Sequence, residues 1–466
     1  MIVAVSIARV WLHIGFKLAL PDDRPVPSID ELRRPALMVP LLGGIVLCLA
    51  SVAGAAAVPA ELAGEGAAPN AVVAGVSAQR LQRLDAYLAD ATSAQGYLGA
   101  VSLVQGDGQV VHQRAFGHQD LERSRTMRGD SLFRIYSMTK TVTTVAVMLL
   151  VEEGVLALDD PLERHLPAFA DMQVLVGGSA DEPRLVPVER SITLRHLLTH
   201  TAGFANGGAG SGMATQLLER AQPGESADLR EFAARVARVP LAEHPGTRFR
   251  YDGTQFQLLS RVVEVASGQS FDAFLQQRIF TPLGMVDTGF EVPQAQRHRV
   301  VDMTRMGKGG QLVLDQGPSA LDPGAALNPY LSGAGGLYST APDFMRLCVM
   351  LLDQGRYPGG QLLGRKTVEA MFSNQLGHLP KPVTEFSDAE GFGLGGSVLL
   401  DPALKGRLGS VGQYGWSGAA STYFSIDPHE RLVSILLLQH LPNDEANDLP
   451  RISTRYYNLV YQALVD

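Results

Sequence analysis

Apolar positions recur along this chain with two different periods, and the places where the period changes mark its elements. From Ser77 onward, Leu81, Leu84 and Leu88 recur at helical spacing, which predicts a helix with one buried face. Two β-rich runs follow, over residues 99–104 and 109–115, and the Asp-Gly pair between them is typical of a tight hairpin turn. We therefore expect the ordered chain to open with a helix and a hairpin.

A similar arrangement closes the chain. Residues 421–426 and 432–438 are β-rich with a polar turn between them, and a last helix is predicted over residues 453–464. Helical patterns dominate in between. We therefore expect an α/β fold in which one antiparallel sheet, built from both chain ends, is flanked by helices. We expect a mostly helical lobe, over about residues 151–331, to be inserted into this fold.

The N-terminal residues differ from this pattern. After Arg33 and Arg34, an apolar run over residues 39–50 is followed by small residues up to Ala57, which is the order of regions in a secretory signal. The run is shorter than the roughly 20 residues of a membrane-spanning helix. We therefore expect export to the periplasm or the medium, with an uncleaved membrane anchor as the alternative.

These patterns divide the chain into an N-terminal extension with a signal peptide (residues 1–57), a linker (58–76) and one domain (77–466). Of the 466 residues, 46% are hydrophobic and 18% charged, which is enough for a sizeable core. The net charge of −8, without clustered lysine or arginine, argues against a nucleic-acid partner. With only two cysteines, the chain has no disulfide framework and no cysteine-rich metal site.

Candidate chemistry lies where a strand-like segment runs into an apolar helix predicted over residues 141–151. Ser137 and Lys140 stand at its start, spaced so that they share one face. A serine hydroxyl needs a base to take its proton, and a lysine can serve when its surroundings favour the neutral form. Free N–H groups at the helix start favour a developing oxyanion. Taken alone, Ser-x-x-Lys is a weak signal, and a capped helix with a surface lysine is the alternative.

Further separated runs strengthen the catalytic interpretation. Besides residues 137–140, they cover residues 197–204, 282–285, 333–340 and 391–395. On these runs the segment from about residue 77 to 466 resembles the serine β-lactamase-related superfamily, particularly its class C-like branch, which includes family VIII carboxylesterases and D-alanyl carboxypeptidases. The resemblance implies a serine hydrolase that forms an acyl-enzyme on Ser137 without a cofactor or a metal.

The second motif of that family, Tyr-x-Asn, is matched only in part by Tyr251, Asp252 and Gly253. The resemblance implies that Tyr251 moves the proton between Ser137 and the leaving group. Gly253 has no side-chain amide, so a substrate hydrogen bond expected in true β-lactamases is in doubt.

The third motif, Lys or His followed by Thr and Gly, is best matched by Trp416, Ser417 and Gly418. The resemblance implies that these residues border the substrate, and that the N–H groups of Ser137 and Ala419 form the oxyanion hole. Trp416 replaces the cation that would bind a substrate carboxylate, and tryptophan at this place is familiar among family VIII esterases. The leading hypothesis is therefore a carboxylesterase acting on short-chain or otherwise neutral esters.

Other interpretations stay open. A β-lactamase or D-alanyl-D-alanine carboxypeptidase is the runner-up, and a catalytically silent protein that binds peptidoglycan or a partner is an alternative of another class. Ser417 lies in a run close to the Gly-x-Ser-x-Gly elbow, but the last glycine is missing and a strand pattern follows. For His200 we expect a structural role. The expected partner is a small-molecule ester or amide.

Overall fold

The structure is a computed structural model that describes residues 71–205 and 212–465, apart from residues 382, 444 and 446. The predicted signal peptide and most of the predicted linker lie outside the described residues. The strands are β1 (Val72–Val73), β2 (Val76–Ser77), β3 (Gly99–Gly106), β4 (Gln109–Gly117), β5 (Phe133–Arg134), β6 (Gln173–Gly178), β7 (Pro183–Pro187), β8 (Thr304–Met306), β9 (Leu312–Leu314), β10 (Tyr338–Ser339), β11 (Arg356–Tyr357), β12 (Gly360–Gln361), β13 (Glu390–Phe392), β14 (Ser397–Leu399), β15 (Tyr414–Gly418), β16 (Thr422–Asp427) and β17 (Leu432–Leu437).

The helices are α1 (Ala78–Ala91), α2 (Thr139–Glu152), α3 (Leu162–His165), α4 (Leu194–Leu198), α5 (Met213–Ala221), α6 (Leu229–Val236), α7 (Thr254–Ser267), α8 (Phe271–Leu275), α9 (Thr281–Leu283), α10 (Pro318–Leu321), α11 (Ala341–Leu352), α12 (Arg365–Phe372), α13 (Pro402–Lys405) and α14 (Ser453–Tyr461). A π-helical segment, Gln276–Phe280, joins α8 to α9. Single 3₁₀ turns occupy Tyr136–Met138, Pro167–Phe169, Pro223–Glu225 and Gln294–Arg299.

Within the described residues, seven strands form one sheet in the order β13-β14-β15-β16-β17-β3-β4, and every neighbouring pair is antiparallel. Strand β17, from the end of the chain, pairs with β3 from its beginning, with Ile435 opposite Leu103. The predicted sheet built from both chain ends is thereby confirmed.

The two faces of this sheet are covered by different helices because side chains alternate along each strand. Ala100 and Val104 of β3 pack in one cluster with residues of α1 and α14. Val101 and Leu103 point the other way, into a larger cluster that includes residues of α2 and α11. At the predicted hairpin, Asp107 and Gly108 have φ values of 40° and 77°, the left-handed conformation that this tight turn requires.

Two details differ from the predicted boundaries. The segment 72–77, partly inside the predicted linker, forms the small antiparallel sheet β1–β2, and the side chain of Ser77 caps α1 by accepting from the N–H of Arg80 at 3.4 Å. The lobe between residues 151 and 331 is mostly helical but also contains the hairpins β6–β7 and β8–β9. In the part of the chain that the structure describes, none of the helices has the length and apolarity needed to cross a membrane.

Candidate active site

The candidate nucleophile lies in a sharp turn between a short strand and a buried helix. Ser137 is the middle residue of the 3₁₀ turn Tyr136–Met138, which follows β5 and leads directly into α2. Tyr136 takes a φ of 42°, a left-handed conformation that is uncommon for a side chain of its size. Helix α2 is buried over nearly its whole length, whereas Ser137 just before it is half-buried.

Lys140 is held beside this serine by two hydrogen bonds. Its side chain is only 2% exposed, and its Nζ donates to Ser137 Oγ at 3.0 Å and to the carbonyl oxygen of Ala334 at 2.7 Å. Ala334 belongs to the glycine-rich run at residues 333–336, far away in the sequence. The Ser137–Lys140 pair was expected from spacing, whereas no sequence signal pointed to the Ala334 carbonyl. The arrangement places an amine within proton-transfer distance of the serine hydroxyl.

Tyr251 lies next to this pair, and its hydroxyl is hydrogen-bonded to another residue. The Nζ of Lys140 is 4.9 Å from the centre of the Tyr251 ring. The Tyr251 hydroxyl accepts a hydrogen bond of 2.9 Å from Nε1 of Trp416. Among the described residues, no hydrogen bond joins that hydroxyl to Ser137 or Lys140. The structure therefore brings all four side chains together, with the phenol bound to the indole.

Strand β15 packs against the turn that contains Ser137. A Cβ added to Gly418 would lie only 2.5 Å from the carbonyl oxygen of Ile135, so this close approach requires glycine. Ser417 is half-buried and Ala419 is exposed at the end of the strand. The backbones of Ser137 and Ala419 thus lie on adjacent elements, and their role as an oxyanion hole stays a prediction.

Aromatic rings surround the Tyr251–Trp416 contact. Phe386, which is 52% exposed, has its ring centre 5.6 Å from that of Tyr251 and 5.7 Å from that of Trp416. Phe392 lies 5.2 Å from Trp416, edge to face. Neither phenylalanine was among the predicted site residues, although Phe392 stands inside the glycine-rich run at residues 391–395. The Tyr251–Trp416 contact is therefore packed among neutral aromatic rings.

His200 is fully buried beneath this cluster, with its ring centre 4.5 Å from that of Tyr251. Burial, and to a smaller extent the charge of Lys140, hold the pKa of His200 well below its usual value. Its Nδ1 lies 3.2 Å from Nε2 of Gln255. A neutral imidazole packed under Tyr251 agrees with the structural role expected for this histidine.

Asp252 and Gly253, the residues after Tyr251, immediately precede α7. Asp252 is buried, and burial raises the pKa of its carboxyl to about 6. Its oxygens accept from the backbone N–H and the side-chain amide of Gln255, so its carboxyl is bound to the first turn of α7. Across residues 71–205 and 212–465, no group of three or more His, Cys, Asp or Glu side chains is placed to hold a metal ion.

Comparison with known proteins identifies the architecture. The beta-lactamase family model matches residues 82–455. The chain belongs to the beta-lactamase family. Its large antiparallel sheet flanked by helices is the β-lactamase/transpeptidase-like fold, which confirms the family predicted from the separated sequence runs.

Two relatives of this chain are named esterases. The chain is 33% identical to esterase EstB of Burkholderia gladioli over 76% of its own length and 89% of the relative. It is 30% identical to the lovastatin esterase of Penicillium rubens, over 73% and 88% of the two chains. The solved structure of EstCE1, a hydrolase with promiscuous acyltransferase activity, superposes with a TM-score of 0.66 at 25% identity, over 83% of this chain and 99% of that one. The protein is a serine hydrolase of the beta-lactamase family.

Proposed function

We propose that this family member is a carboxylesterase that acts on short-chain or otherwise neutral esters through an acyl-enzyme on Ser137. The observation that carries the proposal is the 2.9 Å hydrogen bond from Trp416 Nε1 to the Tyr251 hydroxyl. Where a β-lactamase would present a cation to the substrate carboxylate, this chain has a neutral indole whose N–H is already used inside the protein. A substrate carboxylate would gain no charge-assisted hydrogen bond at this position.

The geometry supports acyl transfer in two steps. Ser137 Oγ attacks the ester carbonyl carbon, and its proton passes to Nζ of Lys140, 3.0 Å away. The tetrahedral oxyanion is bound by the N–H groups of Ser137 and Ala419. Tyr251 and Lys140 return the proton to the leaving alcohol as the C–O bond breaks. A water molecule then attacks the acyl-enzyme and releases the acid and Ser137.

The relatives support the same reaction class. Two of them are named esterases, and EstCE1 is a hydrolase that also transfers acyl groups. The aromatic cluster formed by Tyr251, Trp416 and Phe386 offers apolar contact to an ester rather than ionic contact to an acid.

Two substrates test the proposal. We expect the purified protein to hydrolyse 4-nitrophenyl butyrate efficiently and a chromogenic cephalosporin slowly. Ser137→Ala should abolish both reactions, with a loss of at least about 10⁴-fold in kcat/KM. Ser410→Ala, at another half-buried serine, is the matched control and should keep full activity. The opposite ranking of the two substrates would favour a β-lactamase or peptidase.

A fluorophosphonate probe separates the enzyme from a silent binding protein. We expect the wild-type protein and Ser410→Ala to be labelled, and Ser137→Ala to remain unlabelled. Absence of labelling in all three proteins would contradict an acyl-enzyme mechanism.

We also propose that the protein is exported. The proposal rests on the charged, apolar and small-residue regions of the segment up to Ala57, which lies outside the described residues. N-terminal sequencing of the mature protein from its native host tests it, since cleavage near Ala57 is expected and an intact N-terminus in the cytoplasmic fraction would contradict it.

A further inference from the structure

A carboxylate lies beside the proposed catalytic tyrosine without a positively charged partner. Oε1 of Glu385 accepts a hydrogen bond of 3.1 Å from the backbone N–H of Tyr251, and Glu385 is exposed. Among the residues that the structure describes, no lysine, arginine or histidine forms an ion pair with this carboxylate. Because a carboxylate has about four lone-pair sites, this one is free to interact with a further molecule.

A short series of contacts connects this carboxylate to the nucleophile. The Tyr251 ring centre is 4.9 Å from Nζ of Lys140, and that Nζ is 3.0 Å from Oγ of Ser137. Glu385 is therefore bound to a residue that itself lies against the Ser137–Lys140 pair. At an ionic strength of about 0.01 M the screening length is about 30 Å, so the carboxylate acts on a charged ester held at Ser137 even without touching it.

Phe386, the next residue, adds an exposed aromatic surface to the same segment. It is 52% exposed, and its ring centre lies 5.6 Å from that of Tyr251 and 5.7 Å from that of Trp416. Adjacent residues thus offer a substituted ammonium group two favourable interactions, one with the charge of Glu385 and one with the face of an aromatic ring. A substrate carboxylate would instead be repelled by the charge of Glu385.

We infer that Glu385 gives the site a preference by charge, so that esters with a positively charged group near the scissile bond have a higher kcat/KM than their uncharged analogues. Negatively charged esters have a lower one. The inference rests on the proposed esterase function and adds esters of quaternary ammonium alcohols or acids to its substrates. Trp416 replaces a cation and Glu385 adds an anion, and both changes act against a substrate carboxylate.

Two matched pairs of esters test this preference on either side of the scissile bond. The alcohol pair is butyrylcholine and 3,3-dimethylbutyl butyrate, and the acyl pair is the 4-nitrophenyl esters of 4-(trimethylammonio)butyric acid and 5,5-dimethylhexanoic acid. In each pair a carbon replaces the quaternary nitrogen, so the shape is kept and the charge is lost. The readout is the ratio of kcat/KM for the cationic ester to that for the uncharged ester. In Glu385→Gln we expect this ratio to fall about fivefold at low ionic strength in at least one pair.

Two further measurements separate the charge of Glu385 from its contact with Tyr251. Glu385→Gln keeps a side-chain oxygen that accepts from the Tyr251 N–H, so only the charge is removed. The matched control is Glu182→Gln, at an exposed glutamate between β6 and β7, which should leave both ratios unchanged. An anionic ester should respond with the opposite sign. Relative to 4-nitrophenyl butyrate, the kcat/KM for the 4-nitrophenyl monoester of glutaric acid should rise in Glu385→Gln.

The outcomes separate the two proposals. Ratios that are unchanged in Glu385→Gln for both pairs, or that fall equally in Glu182→Gln, overturn the role of Glu385 and leave a Ser137-dependent esterase in place. A fall of the same size in about 1 M sodium chloride also overturns it, because salt at that concentration screens charges across solvent. If the wild-type protein hydrolyses none of these esters, including 4-nitrophenyl butyrate, the proposed function itself is wrong and this inference fails with it.

Discussion

The two sides of the candidate site are built in different ways. The first side, which we call the floor, consists of Ser137, Lys140 and the carbonyl of Ala334, joined by hydrogen bonds of 3.0 and 2.7 Å around an amine that is 2% exposed. The second side, the rim, consists of Tyr251, Trp416 and Phe386, which meet through ring contacts and one neutral hydrogen bond.

This difference shows where the chain has freedom to change. A buried amine must keep its partners, because an unpaired polar group in a low-dielectric interior is costly. The ring contacts and the hydrogen bond between the rim side chains are neutral and partly exposed, and each contributes little by itself. We therefore expect substitutions in the floor to remove the reaction, and substitutions in the rim to change its efficiency and its substrate.

The largest difference between the two sides is predicted for the floor. Lys140→Met removes the proposed base and should lower kcat for 4-nitrophenyl butyrate by about 10³-fold or more. It also leaves the carbonyl of Ala334 unpaired, so the free energy of unfolding should fall by about 1–3 kcal/mol in a urea titration. Lys366→Met, on the exposed face of α12, is the control and should change neither quantity appreciably. Retention of more than a tenth of the activity in Lys140→Met would contradict the proposed base.

Tyr251→Phe tests whether the rim takes part in proton transfer. The ring over Lys140 Nζ is retained and only the hydroxyl is lost, so kcat should fall by about 10²-fold. The free energy of unfolding should change by only about 1 kcal/mol, the contribution of one neutral hydrogen bond. Tyr357→Phe, the control, removes a hydroxyl from a partly buried tyrosine on β11 and should leave kcat unchanged. If kcat fell no further than in that control, Tyr251 would be a packing residue only.

Trp416 is expected to have a smaller effect on rate and a clearer one on selectivity. Trp416→Phe keeps an aromatic ring but loses the N–H donor to Tyr251, so kcat/KM for the butyrate ester should fall about fivefold. Trp416→Lys adds a cation, which should shift the ratio of cephalosporin to ester turnover upward by about tenfold relative to Trp416→Phe. An unchanged ratio would show that the tryptophan does not select against a substrate carboxylate.

The smallest effect concerns stability beneath the rim. Since the pKa of buried His200 is held well below its usual value, the unfolded chain takes up a proton below about pH 6.5 that the folded chain excludes. His200 therefore lowers the stability of the wild-type fold as pH falls, by about 1.4 kcal/mol per pH unit. His200→Gln should lack this contribution, so the difference in unfolding free energy between the two proteins should shrink or reverse on acidification.

This comparison also isolates His200 from a second buried group. The pKa of Asp252 is raised to about 6, so its carboxyl makes the opposite contribution, in which stability falls as pH rises between about 4 and 6. Asp252 titrates mainly below pH 6, so the difference between the two proteins from pH 7 to pH 6 reports His200. Parallel stability curves from pH 7 to pH 6 would contradict a buried, neutral His200.

Much of the fold could be predicted because its elements have strong local patterns. The hairpin β3–β4 was expected from two β-rich runs and an Asp-Gly turn, and it forms with Asp107 and Gly108 in the left-handed region. The hairpins β6–β7 and β8–β9 were missed. Their strands are short and mostly exposed or half-buried, so they have little of the apolar alternation by which a strand is recognised.

The contacts of the candidate site also differ in whether they could be predicted from the sequence. The pairing of Ser137 with Lys140 is local, since residues three apart at the start of a helix share a face, and the sequence by itself determined it. The carbonyl that holds Lys140 comes from Ala334, 194 positions away. The donor that holds Tyr251 comes from Trp416, 165 positions away. Only the tertiary structure decided these two contacts. They depend on how a glycine-rich loop packs against α2 and how a sheet strand packs near the start of α7. Residue spacing along the chain does not predict such packing.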